Sequence, residues 1–319
     1  MSSILTYLKE ITSLTVGVIV YCFLNLIHNI RLYLFPIYKS LSDDVVLITG
    51  AGNGLGRSLC VEFSKYCPTI LALDVDENGL KETAELVLTS TGCLIKTYKC
   101  DLKNEQAIDE TIQLILNDFN KVTVLVNNAG IAKVEEFLQS SREDFEDVLK
   151  VNTLAQYQLT KAFLPFMLGK VYNSQSLTDP QGHIVCLASI SGVMCFRRFH
   201  MYGASKSAIL LLMESLEQEL DSIGITDQIC ITRVLPFLIN TNMICGVSGT
   251  RSAVLPVIDT VSCAKRIVDG VLKNERVIYI PSCLRLFGIL KLLSPRYAYR
   301  FISKYLSSIT IHSNQPCKS

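Results

Sequence analysis

From Val45 to Pro281 two kinds of segment alternate along the chain. The first kind is short, apolar and rich in β-branched residues: VVLITG (45–50), TILALDV (69–75), LIKTYKCD (94–101), VTVLVNNAG (122–130), GHIVCLAS (182–189), QICITRVLP (228–236) and VIYIP (277–281). Most of these are continuous apolar runs, the pattern of strands covered on both faces. The second kind repeats its apolar residues at helical spacing, as in NEQAIDETIQLILNDF (104–119) and SAILLLMESLEQEL (207–220). Strands alternating with helices predict an α/β fold: a doubly wound parallel sheet of about seven strands, flanked by helices. There is no repeat and no low-complexity linker, so residues 41–281 are expected to form one domain.

The two ends read differently. Ile11–Ile30 contains no Asp, Glu, Lys or Arg. As a helix it would span about 30 Å, the thickness of a bilayer core. Lys9, Arg31 and Lys39 flank it, and Tyr21, Tyr33 and Tyr38 suit the interfaces. Residues 1–40 are therefore expected to be an N-terminal membrane anchor. The rivals are a cleaved signal peptide, for which no small-x-small site follows, and a buried helix. Near the other end, PSCLRLFGILKLLS (281–294) sets Arg285 and Lys291 among Leu, Phe and Ile. Such a helix can lie in a membrane interface or pack on the core. Residues 282–319 thus read as a membrane-associated helical segment and a polar tail.

Composition narrows the function. Lys and Arg total 30 against 29 Asp and Glu, a net charge of +1, so no basic excess points to nucleic acid. Hydrophobic residues make up 49 % of the chain, in keeping with a membrane-associated protein. The twelve cysteines form no C-x-x-C pair and read as buried free thiols. The four histidines are too dispersed for a metal site.

The chemistry starts at LITGAGNGLG (47–56), which lacks the G-x-G-x-x-G spacing of a dinucleotide turn. Its context, strand, glycine turn, helix, still suits a pyrophosphate held at a helix N-terminus. The next strand ends in Asp74, 24 positions after Gly50. An acid there can accept hydrogen bonds from an adenosine ribose and would repel a 2′-phosphate, which favours NAD over NADP. Tyr202 and Lys206 lie four apart and share a helix face. A lysine ammonium near a phenol favours the phenolate, so the pair is expected to form a general base.

The spacing Thr49, Gly50, Gly54, Gly56 resembles the loop of the short-chain dehydrogenases/reductases. Further motifs follow in the order of that family: Asp101 after the third strand, NNAG at 127–130, Asn152, Ser189, and Y-x-x-x-K at Tyr202 and Lys206. The resemblance covers almost all of 41–281 and implies a Rossmann-type fold with NAD(P)-dependent hydride transfer. It also implies roles. Tyr202 exchanges the proton, Ser189 holds the substrate oxygen, Lys206 holds the nicotinamide ribose, and Asn152 secures a relay water. Gly50, Asn53, Gly54, Leu55, Gly56, Asp74, Asp101, Leu102, Asn128, Ala129, Gly130, Tyr202, Lys206, Pro236 and Thr241 would contact the cofactor.

Two departures stand out. The chain is about ten residues longer between Phe166 and Gly182, and Pro236 is followed by Phe237 where the family commonly has glycine. The anchor, the run KAFLPFM and the segment after Pro281 resemble the membrane-bound branch that includes epidermal retinol dehydrogenase and 17-beta-hydroxysteroid dehydrogenases 11 and 13. That branch implies an apolar alcohol or carbonyl substrate, an endoplasmic-reticulum or lipid-droplet surface, and a possible homodimer through 142–167 and 203–222. An NADPH-dependent carbonyl reductase and a lipid-droplet scaffold with vestigial catalysis are the alternatives. The pocket walls are expected at 191–201 and 238–258, with Met194, Phe196, Phe199 and Met201 offering apolar surface and Arg197, Arg198 and His200 facing solvent, lipid headgroups or substrate; for two adjacent arginines a solvated edge is the commoner role.

Overall fold

The computed structural model describes residues 35–173, 182–194, 196–226, 228–241, 247–248, 257–286, 288, 300 and 310–311, with 11–17, 19–20, 23–24, 27 and 31 nearer the N-terminus. The chain forms two compact units, Met1–Lys39 and Ser40–Ser319. In the first, the described residues between 11 and 31 are helical and exposed, Leu14, Ile19, Phe23 and Leu24 among them. Among the described residues no helix is long and apolar enough to cross a membrane. Much of the expected anchor, the loop after Asn173 and most of the expected interfacial segment from 282 onward lie outside the described residues.

In the second unit seven parallel strands form one sheet: β1 (Val46–Thr49), β2 (Ile70–Asp74), β3 (Lys96–Lys99), β4 (Val124–Asn127), β5 (Gly182–Leu187), β6 (Ile229–Pro236) and β8 (Val277–Ile280). All seven expected strands are present. Their order is β3-β2-β1-β4-β5-β6-β8, so the chain reverses its winding between β1 and β4. Ligands of such sheets bind in the crevice beyond the strand C-termini at that switch point. Apart from this sheet, β7 (Val247–Ser248) pairs antiparallel with β9 (Thr310–Ile311).

The alternation of side chains explains why both faces had to be apolar. Leu47 and Leu125 point into one core layer, with Ile108, Phe163 and Met213, while Val46, Ile48 and Val126 point into the other, with Leu59, Phe63 and Ile267. The helices α3 (Glu105–Phe119), α5 (Ala155–Asn173) and α6 (His200–Ser222) supply the first layer. The helices α1 (Gly54–Phe63), α2 (Glu77–Thr91) and α7 (Thr260–Leu272) supply the second. β3 departs from the rule of covered strands. It is the sheet edge, and of its four residues only Tyr98 is buried. Lys96 and Lys99 leave that edge charged, which discourages strand pairing with another chain.

Asn152 lies in the long helical stretch between β4 and β5. The helix is interrupted there: α4 (Arg142–Leu149) runs into a π-helical turn, Lys150–Leu154, before α5 begins. Such turns widen the helix by one residue and occur often at functional sites. Here the turn faces the catalytic end of the sheet, because Asn152 is wholly buried against the start of α6.

Candidate active site

The strand C-termini open into a cavity of about 730 Å³. Its floor at the switch point is the glycine loop. Gly50 has φ +67°, and a β-carbon there would lie 2.9 Å from Ala129 Cα. At Gly56 a β-carbon would lie 1.9 Å from the Gly50 carbonyl oxygen. These glycines let the loop fold back on the first turn of α1. Thr49 and the NNAG segment brace it from below. Thr49 Oγ1 accepts from the backbone N–H groups of Asn128 and Ala129, each at 3.0 Å, and Asn128 Nδ2 donates to the Thr49 carbonyl at 2.8 Å.

The N-terminus of α1 is unlike those of α2, α3, α4 and α7. In those helices Asp76, Asn104, Ser141 and Asp259 each accept a bond from a first-turn N–H group. Asn53 occupies the same position in α1 and makes no such bond. The orphan donors and the positive end of the helix dipole therefore remain for a ligand, and the loop lines the cavity. A dinucleotide pyrophosphate fits this arrangement.

Asp74 does double duty at the next strand end. Oδ2 accepts from Gly52 N at 2.8 Å and Oδ1 from Asp76 N at 3.0 Å, which fixes the carboxylate at the cavity wall. Arg57 is the nearest basic residue in sequence to the loop. It donates to the loop's own Gly52 carbonyl at 2.6 Å and to Glu82 at 2.7 Å.

At the far end stand Ser189, Tyr202 and Lys206. Ser189 follows β5 and is buried, accepting from Ser191 N at 3.1 Å. Lys206 is buried on α6, with Nζ 5.6 Å from the centre of the Tyr202 ring and donating to the Leu187 carbonyl at 2.7 Å. Burial pushes the Lys206 ammonium down to about 8. Burial also pushes the Tyr202 phenol up to about 12, partly offset by its bond with Ser189. This reverses the direction expected from the helix spacing alone. The ammonium is turned to a backbone carbonyl, and loss of solvent is the larger effect on the phenol. By itself the protein holds Tyr202 as a proton donor at neutral pH.

All the sequence-predicted site residues line the cavity except Asn152. Asn152 lies behind it. Its Oδ1 accepts from Ile131 N at 2.8 Å, and its Nδ2 donates to the Ile131 carbonyl at 2.9 Å and to Ser205 Oγ at 3.0 Å. Ser205 Oγ in turn donates to the Tyr202 carbonyl at 2.7 Å. Its side chain thus ties the loop after β4 to the turn carrying Tyr202.

The apolar lining is partly as expected. Phe196 and Phe199 face the cavity with Phe237, Leu238 and Ile239. Met194 and Met201 do not: both are buried in the core. Arg197 and Arg198 also line the cavity, whereas His200 turns outward to Ser140 Oγ at 3.1 Å. Glu136, Lys103 and Ile131 line it without having been singled out. Glu136 lies in a loop with no motif, so only the tertiary contact with Arg197 and Arg198 reveals it.

The short chain dehydrogenase family model matches residues 44–250. The chain belongs to this family and is an NAD(P)-dependent oxidoreductase. Among characterised relatives it is 30 % identical to epidermal retinol dehydrogenase 2 of Mus musculus over 271 residues, covering 84 % of each chain. It is 28 % identical to 17-beta-hydroxysteroid dehydrogenase 13 of Rattus norvegicus over 291 residues, covering 91 % of this chain and 92 % of that one. Estradiol 17-beta-dehydrogenase 11 of Homo sapiens is also 28 % identical, over 282 residues and 88 % of each chain. Two solved structures share the fold. One is a Burkholderia phymatum short chain dehydrogenase/reductase in complex with NAD (TM-score 0.70, 22 % identity, 81 % of this chain and 96 % of that one). The other is a Sphingobium yanoikuyae short-chain dehydrogenase in complex with NADPH (TM-score 0.63, 23 % identity, 86 % and 98 %).

Proposed function

We propose that the protein is a membrane-associated, NAD-dependent dehydrogenase of an apolar alcohol of retinoid, steroid or other lipid type. The observation that carries this reading is one cavity joining two chemistries. The uncapped glycine loop and Asp74 lie at one end, and Ser189, Tyr202 and Lys206 at the other, beside Phe196, Phe199 and Phe237. The names of the relatives, retinol and hydroxysteroid dehydrogenases, point to the same substrates. A bound nicotinamide supplies the hydride-accepting ring. Ser189 holds the substrate oxygen, and Tyr202 takes the hydroxyl proton as the carbonyl forms. Lys206 is the cation beside the phenol, and Asn152 holds the turn that carries it.

Asp74 supports NAD. Its carboxylate is fixed at the cavity wall by the Gly52 and Asp76 N–H groups, and the nearby Arg57 is already paired with Glu82. Association with endoplasmic-reticulum membrane or lipid droplets rests on the apolar run 11–30 and on the membrane-bound branch it resembles.

The test is purified protein assayed on retinols, hydroxysteroids and fatty alcohols, and on the matching carbonyls, with each cofactor. Oxidation with NAD is expected. Tyr202→Phe should lower kcat by at least about 10²-fold, the usual contribution of a positioned acid–base group. Activity unchanged in that variant refutes the mechanism. Asp74→Ala should narrow the preference for NAD over NADP, and an unaltered preference refutes the role given to Asp74.

A further inference from the structure

One charge at the substrate end is not accounted for by hydride transfer. Glu136, Arg197 and Arg198 all line the cavity, two guanidinium groups against one carboxylate. Arg197 has the carboxylate, with its terminal nitrogen 2.8 Å from Glu136 Oε1. Arg198 is left behind. Its Nε stands 3.8 Å from the same oxygen, beyond hydrogen-bond reach, and is buried without a hydrogen-bond partner. The Arg197 side chain is 74 % exposed and that of Arg198 only 24 %, so Arg197 is the solvated edge and Arg198 belongs to the wall.

The backbone points the same way. Arg198 has φ +69°, a left-handed conformation that a side-chain-bearing residue rarely adopts. Its carbonyl is pinned by the N–H of Glu135 at 3.2 Å. A disfavoured backbone held by surrounding contacts, at a residue four positions before Tyr202, is a reason to look for function. Phe196 and Phe199, on either side in sequence, line the same cavity. A guanidinium in the cavity wall that shares one carboxylate with a second arginine, in a cavity also lined by phenylalanines, suits an apolar molecule that carries one negative group.

We infer that Arg198 anchors a carboxylate on the substrate, so that among lipid alcohols and carbonyls the site prefers those that also carry an acid group. This rests on the dehydrogenase reading above. The substrate enters with its carboxylate accepting from Arg198 and its apolar body on the phenylalanines. The reacting carbon is thereby held toward Ser189 and Tyr202. Glu136 keeps Arg197 from competing.

The experiment compares ω-hydroxy fatty acids of increasing chain length with their methyl esters, with NAD, in wild type, Arg198→Gln and Arg198→Lys. The wild type should favour the acid over the ester by about tenfold or more in kcat/KM, the worth of one charge-assisted hydrogen bond, with most of the effect in KM. Arg198→Gln should collapse the acid-to-ester ratio toward one, and Arg198→Lys should recover part of it. A wild type that handles acid and ester alike, or a ratio unmoved by Arg198→Gln, overturns the proposal. Equilibrium dialysis of a fatty acid and its methyl ester against wild-type protein separates the two readings. Acid retained about tenfold better, with no turnover of any alcohol, upholds the anchor and refutes the dehydrogenase assignment. Equal retention refutes the anchor whatever the turnover.

Discussion

Gly56 offers the sharpest test of the phosphate cradle. An alanine β-carbon there would lie 1.9 Å from the Gly50 carbonyl oxygen and 2.8 Å from Asn128 Nδ2. Real β-carbons essentially never come within 3.0 Å of a heavy atom, so the backbone must give by about 1.1 Å (3.0 less 1.9). The obstacle is a main-chain carbonyl, and Asn128 Nδ2 also donates to that carbonyl, at 3.3 Å. The clash therefore cannot be relieved by a rotamer change. Overpacking of this kind costs about 1–3 kcal/mol of stability. A displacement of roughly 1 Å in a positioning element costs on the order of 10²-fold in rate. Gly169 is the control: it lies in α5, and a β-carbon there meets nothing within 4 Å. Gly169→Ala should stabilise by about 0.5–1 kcal/mol, the usual gain over glycine in a helix. The assay is the thermal midpoint of both variants and their NAD affinity by calorimetry. Gly56→Ala should lower both, and Gly169→Ala should raise the midpoint and leave affinity alone. A Gly56→Ala protein with wild-type midpoint and affinity refutes the cradle.

Asn152→Ala should destabilise the protein by about 1–3 kcal/mol, because it removes the partner of the half-buried N–H of Ile131 and releases the buried Ser205. Its thermal midpoint should fall together with kcat, and a loss of kcat with an unchanged midpoint would contradict the positioning role. Alkaline pH should also destabilise the fold. Burial raises the thiols of Cys60, Cys186 and Cys263 to about 12 and that of Cys67 to about 11. A raised acid contributes stability that is complete below the unfolded thiol value and lost as pH climbs toward the folded one. Lys206 works oppositely, gaining between about 8 and its ordinary 10.5, but it is one group against four. The thermal midpoint should therefore decline above about pH 9. A midpoint that rises from pH 9 to 11 would show that these thiols are not buried in the fold.

The sequence by itself determined the sheet and many of the residues that line the cavity. Seven apolar runs became seven strands because a strand covered on both faces has no polar side to spare, and that pattern is local. Gly50, Gly54 and Gly56 were legible through the resemblance of their spacing to the family loop, and Asp74 through its place at the end of the next strand. Tyr202 and Lys206 were legible because four residues make one turn of helix. Tertiary structure decided what depends on burial and on partners far along the chain. It turned the Lys206 ammonium to Leu187 and desolvated Tyr202, so the phenol moved opposite to the expectation from their pairing. It placed Asn152 in a π-helical turn with both amide atoms engaged by Ile131 and Ser205. It buried Met194 and Met201, which periodicity alone could not distinguish from pocket residues. And it separated Arg197 from Arg198, neighbours of identical type. Both line the cavity, and only the position of Glu136, some sixty residues earlier, determines which guanidinium is hydrogen-bonded to it and which stands 3.8 Å away.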